Sequence, residues 1–292
     1  MSDTAQERVH TVGPEAPSTS EVLDPAVHGG GEHGEDIGQT IMRHVTDSNT
    51  LELPFVGEVH LPHLEIGGVD LSITKHVVMM WLASLLIIML FSVTLRNRRT
   101  VPRGLANLLE MLVVFVRDEL AVKNIGEEGK RFAPYLLTTF FFILTCNLLG
   151  LVPYMATATG NISVTAGLAI VAFLVVQMGG VQAHGFVGYV KNFVPQGVPL
   201  WLYPLLFPIE ILGMLIKHFV LCVRLFANML AGHFVLVTFI CLIFVMKSIW
   251  VAPISVSFAL FVSLLEILVA IIQAYIFAML ASLFIGMAVH SH

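Results

Sequence analysis

Long apolar runs separated by short polar segments make up the chain from residue 76 onward. Residues 76–95 contain no Lys, Arg, Asp or Glu, and this is the length that a helix needs to cross a hydrocarbon core of about 30 Å. Comparable runs occupy residues 134–153 and 162–181, with a short polar joint at 157–161 between them. The pattern predicts three membrane-spanning helices in the first two thirds of the chain.

Two longer apolar segments follow, at residues 205–246 and 250–289. A continuous helix of about 40 residues would be roughly 60 Å long at 1.5 Å per residue, twice the thickness of the bilayer core. Each segment therefore either folds back as two spans or forms one strongly tilted helix, and hydropathy fits both. In either case the pattern predicts an all-α integral membrane protein.

The segment between the first two spans, residues 96–131, has an amphipathic pattern. Leu105, Leu108, Leu112 and Val116 recur at helical spacing, while charged side chains occupy the other faces. This pattern predicts a helix that lies on the membrane surface. A helix docked on another subunit would have the same pattern.

Composition agrees with this class, since 57% of the 292 residues are hydrophobic and 12% are charged. Thirteen of the twenty acidic residues lie in the first 75 positions, so the net charge of -5 describes a tail and indicates no nucleic-acid surface. We divide the chain into an acidic, disordered tail at 1–50, a short extramembrane segment at 51–75 and a membrane domain at 76–292. The alternation at 51–66 suits a short hairpin.

Neither histidines nor cysteines indicate a metal site or a redox centre. The cluster HGGGEHGED at 28–36 has metal-binding residue types, but the composition around it favours a solvated acidic tail. Cys146, Cys222 and Cys241 all lie in apolar runs, which favours small buried hydrophobic side chains over disulfides. We predict no metal and no cofactor.

The distribution of basic residues predicts how the chain crosses the membrane. Segment 96–131 holds eight Lys or Arg, against three in the 75 residues at the start of the chain. By the positive-inside rule this segment is cytoplasmic, which places the N-terminus outside. With the later spans counted, the C-terminus is also cytoplasmic.

Few charged residues follow position 132, and one of them lies in the middle of an apolar run. This residue is Arg224, within CVRLFANMLAGH at 222–233. A charged side chain at the centre of a membrane helix costs about 2.5 to 3.5 kcal/mol on insertion scales, so such residues usually serve transport. Arg224 therefore needs a functional explanation or a buried partner.

Helical geometry groups the polar residues around Arg224. On a 3.6-residue helix, Glu210, Lys217 and Asn228 lie within about 40° of Arg224 and form one polar stripe, whereas His233 is turned by about 180°. In the last segment, Glu266 and Gln273 are seven residues apart and share a face.

We expect His233 and Glu266 to form a pair that can pass protons near neutral pH. A structural ion pair of Arg224 with Glu266, or of Glu210 with Lys217, is the alternative interpretation. Asn228 and Gln273 are also the residue types that hold helices together by hydrogen bonds.

From residue 73 onward the chain resembles subunit a of the F-type, proton-translocating rotary ATP synthase. The resemblance rests on ITKHVVMMW at 73–81, NLLGLVP at 147–153, PIE at 208–210 and, above all, RLFANMLAGH at 224–233. It implies that the two 40-residue segments form a strongly tilted helical hairpin, within a fold of about five to six helices. It further implies a non-catalytic stator subunit beside a ring of c subunits, supported by b-type peripheral-stalk subunits in a bacterial inner membrane.

The resemblance also implies a role for each residue that matches the family motif. Arg224 corresponds to the arginine that faces the ring carboxylates between two half-channels, blocks a proton leak and favours the ionised carboxylate. Asn228 and Gln273 match its polar companions, and Glu210 matches a carboxylate of the half-channel opposite to that of His233 and Glu266. Many members carry Glu and His in the reverse order at these last two positions.

One departure concerns the polar joint, where many relatives carry Asp in place of Asn161. A neutral Asn161 can line a water path but cannot titrate. Ring residues largely decide between H⁺ and Na⁺, and we expect H⁺. The competing hypothesis is a self-contained proton-coupled transporter or channel whose own helices enclose the stripe, and a third is a structural membrane scaffold.

Overall fold

The computed structural model describes residues 50–53, 57–60, 65–66, 69–70, 74–96, 104–152, 157–192, 200–246 and 251–290. The predicted disordered tail lies almost entirely outside these ranges, so that prediction stays untested. From residue 74 onward the described chain is helical, and five helices have the length and composition to cross a membrane. The chain is an all-α integral membrane protein.

The segment before the first span contains two short antiparallel hairpins. Strand β1 (Thr50–Leu53) pairs with β2 (Gly57–His60), and β3 (Glu65–Ile66) pairs with β4 (Val69–Asp70). The hairpin expected at 51–66 is therefore present as β1 and β2.

In the part of the chain that the structure describes, six α-helices of eleven or more residues, labelled here in chain order, make up most of the membrane domain. Their bounds are α1 (Lys75–Arg96), α2 (Leu105–Phe115), α3 (Gly129–Gly150), α4 (Ile162–Asn192), α5 (Tyr203–Met246) and α6 (Val251–Val289). Two spans differ from their predicted limits. Helix α3 begins at Gly129 rather than at Pro134. The predicted start was too late because the first turn carries Lys130 and Arg131, and a search for uncharged runs excludes charged residues.

Helix α4 extends past the predicted end of the third span at residue 181. The backbone breaks at Gly185, which adopts φ 71° and ψ 163°, a conformation that glycine adopts without a steric penalty. The chain after the break returns to the helix, where the Tyr189 hydroxyl donates to Oε1 of Gln177 at 2.6 Å. The Tyr189 ring lies in the space that a side chain on Gly180 would occupy.

The last two segments are each one continuous helix, of 44 residues in α5 and 39 in α6. This decides between the two alternatives that hydropathy left open, since neither segment folds back. A 44-residue helix is about 66 Å long and fits within the membrane only when it is inclined. The two helices pair antiparallel, with Phe239 stacked on Phe258 at one end and Lys217 beside Phe284 at the other.

The amphipathic segment is only partly the surface helix that the sequence predicts. Helix α2 exposes Leu105 and Leu108 as expected, but it continues into a π-helical segment at Val116–Val122 and a short helix at Lys123–Ile125. Val116, Leu120, Ala121 and Ile125 are buried in the main core with side chains of α3 and α6. The expected single apolar face is therefore divided between an exposed half and a packed half.

Contacts with α6 hold the packed half in place. Nδ2 of Asn124 donates to Oγ of Ser282 at 2.7 Å, and Nε2 of His290 lies 2.7 Å from the carbonyl oxygen of Ile125. The core of the protein thus surrounds the last four turns of α6, where Phe277, Ala281 and Ile285 are almost fully buried. The opposite faces of α5 and α6 expose large apolar side chains, including Leu212, Phe219, Leu260 and Leu264.

Candidate proton-translocation site

Arg224 lies in the middle of α5, 21 residues after its first residue, and is partly buried. Its guanidinium has no hydrogen bond or ion pair with any residue in the described ranges. The structure therefore contains neither the Arg224–Glu266 ion pair nor the Glu210–Lys217 pair that the sequence left open. A permanent cation without an internal counter-ion is the central electrostatic feature of this site.

The next polar pair joins α5 to α6 one turn after Arg224. Nδ2 of Asn228 donates to Oε1 of Gln273 at 2.9 Å. Gln273 is 1% exposed, and its Nε2 has no hydrogen-bond partner among the described residues. This hydrogen bond joins α5 to α6, as the alternative interpretation of these two amides expects, and it leaves Nε2 of Gln273 as a buried donor without a partner in the described chain.

Glu266 lies seven residues before Gln273 on α6, about two turns further along this contact. The glutamate is 5% exposed, and its Oε2 is buried without a hydrogen-bond partner within the described chain. Its Oε1 lies beside Gly232, where an added β-carbon would be 2.6 Å away. The carboxylate is therefore adjacent to the residue before His233, but no hydrogen bond joins Glu266 to His233, in contrast to the expected direct pair.

A polar network at the start of α4 borders the same region. Thr159 in the joint donates its hydroxyl to Oδ1 of Asn147 at 2.7 Å, and Nδ2 of Asn147 lies 3.4 Å from the carbonyl oxygen of Ala270. Asn161 accepts a hydrogen bond from the backbone N–H of Ser163 at 2.8 Å, in the manner of a helix cap. Asn161 is thus the last residue of the joint and caps α4, a role that was not predicted.

Glu210 and Lys217 lie on α5 on the other side of Arg224. Glu210 is exposed and precedes Arg224 by 14 residues, or about 21 Å of helix. Nζ of Lys217 lies 6.0 Å from the centre of the Phe284 ring, within the range of a cation–π contact. The arginine thus separates the carboxylate of Glu210 from that of Glu266 along the hairpin.

His218 is a buried polar residue that the sequence analysis did not select. It is 5% exposed and lies between the rings of Phe173 and Phe284. A count of charged residues passes over histidine, and His218 lies about 120° from Arg224 around the helix, outside the predicted stripe. Its position in an apolar run was the available signal.

Taken along α5, the arrangement consists of two polar regions separated by one cation. The region with Asn228, Gln273, Glu266 and His233 lies towards the α5–α6 turn, and the region with Glu210 and Lys217 lies towards the start of α5. Groups of this kind can hold water and exchange protons, whereas arginine keeps its proton. The geometry therefore suits two separate proton paths that do not connect through Arg224.

Sequence comparisons with known proteins match most of the chain. The sequence model of the family described as ATP synthase A chain matches residues 77–286. An ATP synthase subunit a of Myxococcus xanthus is 54% identical over 239 residues, which cover 80% of this chain and 78% of the relative. One from Chloroherpeton thalassium is 51% identical over 253 residues (85% and 76%), and an ATP synthase subunit a 2 from Chlorobaculum tepidum is 46% identical over 299 residues (99% and 84%).

Proposed function

The chain belongs to the ATP synthase subunit a family, and we propose that it is the stationary subunit that loads and unloads protons on a rotating ring of c subunits. It is a multi-pass membrane protein of the proton-translocating sector. In this proposal it carries out no ATP chemistry, which belongs to other subunits of the complex. Its remaining partners are b-type peripheral-stalk subunits and membrane lipid.

One observation carries the proposal, namely that Arg224 has no counter-ion within the described part of the chain. A charge left unpaired inside a membrane protein is costly, so a partner from outside the chain is expected. A ring carboxylate at the same depth would supply that partner. The exposed apolar faces of α5 and α6 offer the surface against which such a ring could turn.

The outer half-channel is assigned to the polar region near the α5–α6 turn. Protons from outside reach His233 and Glu266, with Gln273, Asn228 and Asn161 holding water along the way. Oε2 of Glu266 and Nε2 of Gln273 are buried and have no hydrogen-bond partner among the described residues. They support this assignment, because buried polar atoms without protein partners commonly bind water. A ring carboxylate that receives the proton becomes neutral and can move into the lipid.

The inner half-channel is assigned to the region that contains Glu210. After almost a full turn, the protonated ring carboxylate reaches Arg224 from the other side. The fixed guanidinium favours the ionised carboxylate, so the proton leaves towards the cytoplasm. The membrane potential contributes about 2.3 kcal/mol per charge per 100 mV to this transfer, and ATP hydrolysis reverses the direction.

The orientation in a bacterial inner membrane follows from the basic segment at 96–131. That segment is cytoplasmic by the positive-inside rule, which places the α5–α6 turn outside and the start of α5 inside. This orientation assigns Glu266 to the outer path and Glu210 to the inner one.

Substitution of Arg224 tests the proposal in membranes that contain the whole complex. We expect Arg224→Ala to abolish proton-driven ATP synthesis while the subunit remains assembled, because the ring carboxylate loses its partner. Arg117→Ala is the control, since it removes the same group from an exposed position outside the spans. ATP synthesis at the parental rate in Arg224→Ala would refute the proposal.

A second measurement separates the stator from a self-contained transporter or channel. The purified chain is reconstituted alone into vesicles, and proton flux is recorded under an imposed potential. A transporter would conduct, whereas the stator conducts only together with its ring. Conduction by the chain alone would therefore favour the competing hypothesis.

A further inference from the structure

His218 is a buried histidine that the proton path above does not use. It lies on α5 between Glu210 and Arg224, six residues before the arginine. This spacing corresponds to about 9 Å along the helix axis, on the Glu210 side of Arg224. His218 therefore lies at a depth between Glu210 and Arg224, the span that the proposed inner path must cross.

One nitrogen of the His218 ring is fixed and the other is free. Nδ1 lies 2.9 Å from the carbonyl oxygen of Met214, and because a carbonyl only accepts hydrogen bonds, Nδ1 carries a proton. In the neutral ring Nε2 is then an acceptor. Nε2 is buried and has no hydrogen-bond partner among the residues that the structure describes.

The residue that anchors the ring is itself held by α4. Nε2 of Gln177 lies 2.9 Å from Sδ of Met214, and Oε1 of Gln177 accepts the hydroxyl proton of Tyr189. These contacts pack Met214 against α4, while its carbonyl oxygen, held in the helical backbone of α5, sets the direction of the His218 imidazole. The free Nε2 is thus a positioned acceptor rather than a mobile one.

The surroundings of His218 supply a cation and aromatic rings but no carboxylate. The rings of Phe173 on α4 and Phe284 on α6 each lie 5.2 Å from the imidazole. Lys217 on α5 lies over the same Phe284 ring, while Glu210 is eight residues away. A positive charge on His218 would lie near Lys217 with no carboxylate beside it among the described residues, so the site suits a proton in passage rather than a stored one.

Other titratable groups on the neighbouring helices lie further along them. On α4 these are His184, whose Nε2 lies 2.9 Å from the carbonyl oxygen of Val289, Tyr189 and, by sequence, Lys191 near the end of the helix. Helix α6 has no charged residue after Glu266. His218 is consequently the histidine on this side of Arg224 with a free, buried nitrogen within the described ranges.

We propose that His218 is a proton acceptor of the inner half-channel, between Arg224 and Glu210; this rests on the proposed function. The O–H bond of the ring carboxylic acid breaks beside Arg224, and the proton travels through water to Nε2, where an N–H bond forms. The imidazolium keeps its Nδ1 proton on Met214 and returns the Nε2 proton to water on the cytoplasmic side. The ring carboxylate is left ionised and His218 neutral, so no other reactant is needed.

The test replaces His218 in the whole complex and varies the pH on one side. In His218→Phe the new ring fits between the rings of Phe173 and Phe284, and both nitrogens are removed. His218→Gln keeps polar atoms at this position, but these atoms do not titrate. In inverted membrane vesicles the cytoplasmic face is exposed to the medium, so proton-driven ATP synthesis can be recorded from pH 5.5 to 8 on that side. Histidine is the side chain that ordinarily titrates in this range.

We expect both variants to assemble at the parental level, to synthesise ATP about tenfold more slowly and to lose the parental dependence on cytoplasmic pH, with the dependence on outer pH unchanged. His184→Gln is the matched control, a histidine at the inner end of α4 whose Nε2 already has a partner, and it should keep the parental profile. A parental rate and cytoplasmic pH profile in His218→Phe would overturn the proposal. Failure of both variants to assemble would overturn it too, since it would assign His218 to packing.

The outcome is separable from that of the proposed function. If Arg224→Ala abolishes ATP synthesis while His218→Phe changes nothing, the role of His218 alone is refuted. If Arg224→Ala leaves ATP synthesis unchanged, the proposed function is refuted, and the role of His218 that rests on it is refuted as well.

Discussion

The carboxylate of Glu266 lies against the backbone of Gly232, in the space that a side chain there would fill. A β-carbon on Gly232 would be 2.6 Å from Oε1 and 2.9 Å from the carboxyl carbon of Glu266. The glycine therefore decides how closely α6 brings its carboxylate to α5, directly before His233. A residue without a titratable group thus helps to position the carboxylate of Glu266.

Gly232→Ala should impair proton transfer without removing the subunit from the membrane. The added methyl group must displace Glu266, and a shift of about 1 Å in a reacting group can cost up to about a hundredfold in rate. We expect proton-driven ATP synthesis to fall by about tenfold or more, measured in membrane vesicles and normalised to the amount of assembled complex.

Gly213→Ala is the matched control for this prediction. Gly213 lies on the same helix, and a β-carbon there would meet no atom within 4 Å. Because alanine favours the helical backbone over glycine, this variant should keep or slightly raise stability and retain the parental rate. Equal rates in Gly232→Ala and Gly213→Ala would contradict the positioning role.

The hydrogen bond between Asn228 and Gln273 predicts coupled effects of substitution. Asn228→Leu or Gln273→Leu leaves the other amide without its partner, whereas the double variant removes both groups. If the pair acts as a unit, the double variant should lose no more ATP synthesis than the worse single variant. Additive losses in this double-mutant cycle would mean that the two amides act independently.

Much of the fold follows from the sequence because its main constraint is the bilayer. The uncharged run at 76–95 predicts α1, and the long apolar segments predict α5 and α6, since only satisfied helical backbone can cross a hydrocarbon core in such a chain. Segment 116–125 was harder to predict. Its burial depends on contacts of Asn124 and Ile125 with the end of α6, which is far away in the sequence. The local hydrophobic pattern does not reveal such contacts.

The site shows the same division between local and non-local information. Arg224 stands out because a charge in an apolar run is costly wherever the helix packs. The absence of a direct bond between Glu266 and His233 could not be predicted, because it depends on the register between α5 and α6. The same register places Gly232, an inconspicuous residue in the sequence, against Glu266.

The exposed ion pair of Arg117 and Asp118 predicts how the stability of the fold depends on pH. Nε of Arg117 lies 2.7 Å from Oδ1 of Asp118, and this hydrogen bond lowers the pKa of Asp118 below its ordinary value. A carboxyl group whose pKa is lower in the folded state stabilises the fold at pH values above its unfolded-state pKa of about 3.9. This stabilisation is lost as the pH falls through the folded-state pKa. The pair therefore adds no pH dependence near neutrality.

Because both side chains are exposed, screening by water also keeps the contribution small. We expect Asp118→Asn to leave the thermal unfolding temperature of the purified complex nearly unchanged from pH 6 to 8. A clear loss of stability at pH 7 would show that Asp118 has a further partner in the assembled complex.

The close approach of Gly286 to Asn124 predicts a point at which segment 116–125 is tightly attached to α6. A β-carbon on Gly286 would collide with the backbone oxygen of Asn124, whose side chain also donates to Ser282. Backbone cannot move aside as a flexible side chain can, so Gly286→Ala should destabilise the packing of the segment on α6 by about 1 to 3 kcal/mol. Thermal unfolding of the detergent-purified complex measures this loss, with Gly167→Ala, which meets no atom within 4 Å, as the control. An unchanged unfolding temperature in Gly286→Ala would mean that the segment can shift along α6 without cost. The contacts of Asn124 with α6 would then not fix the position of the segment.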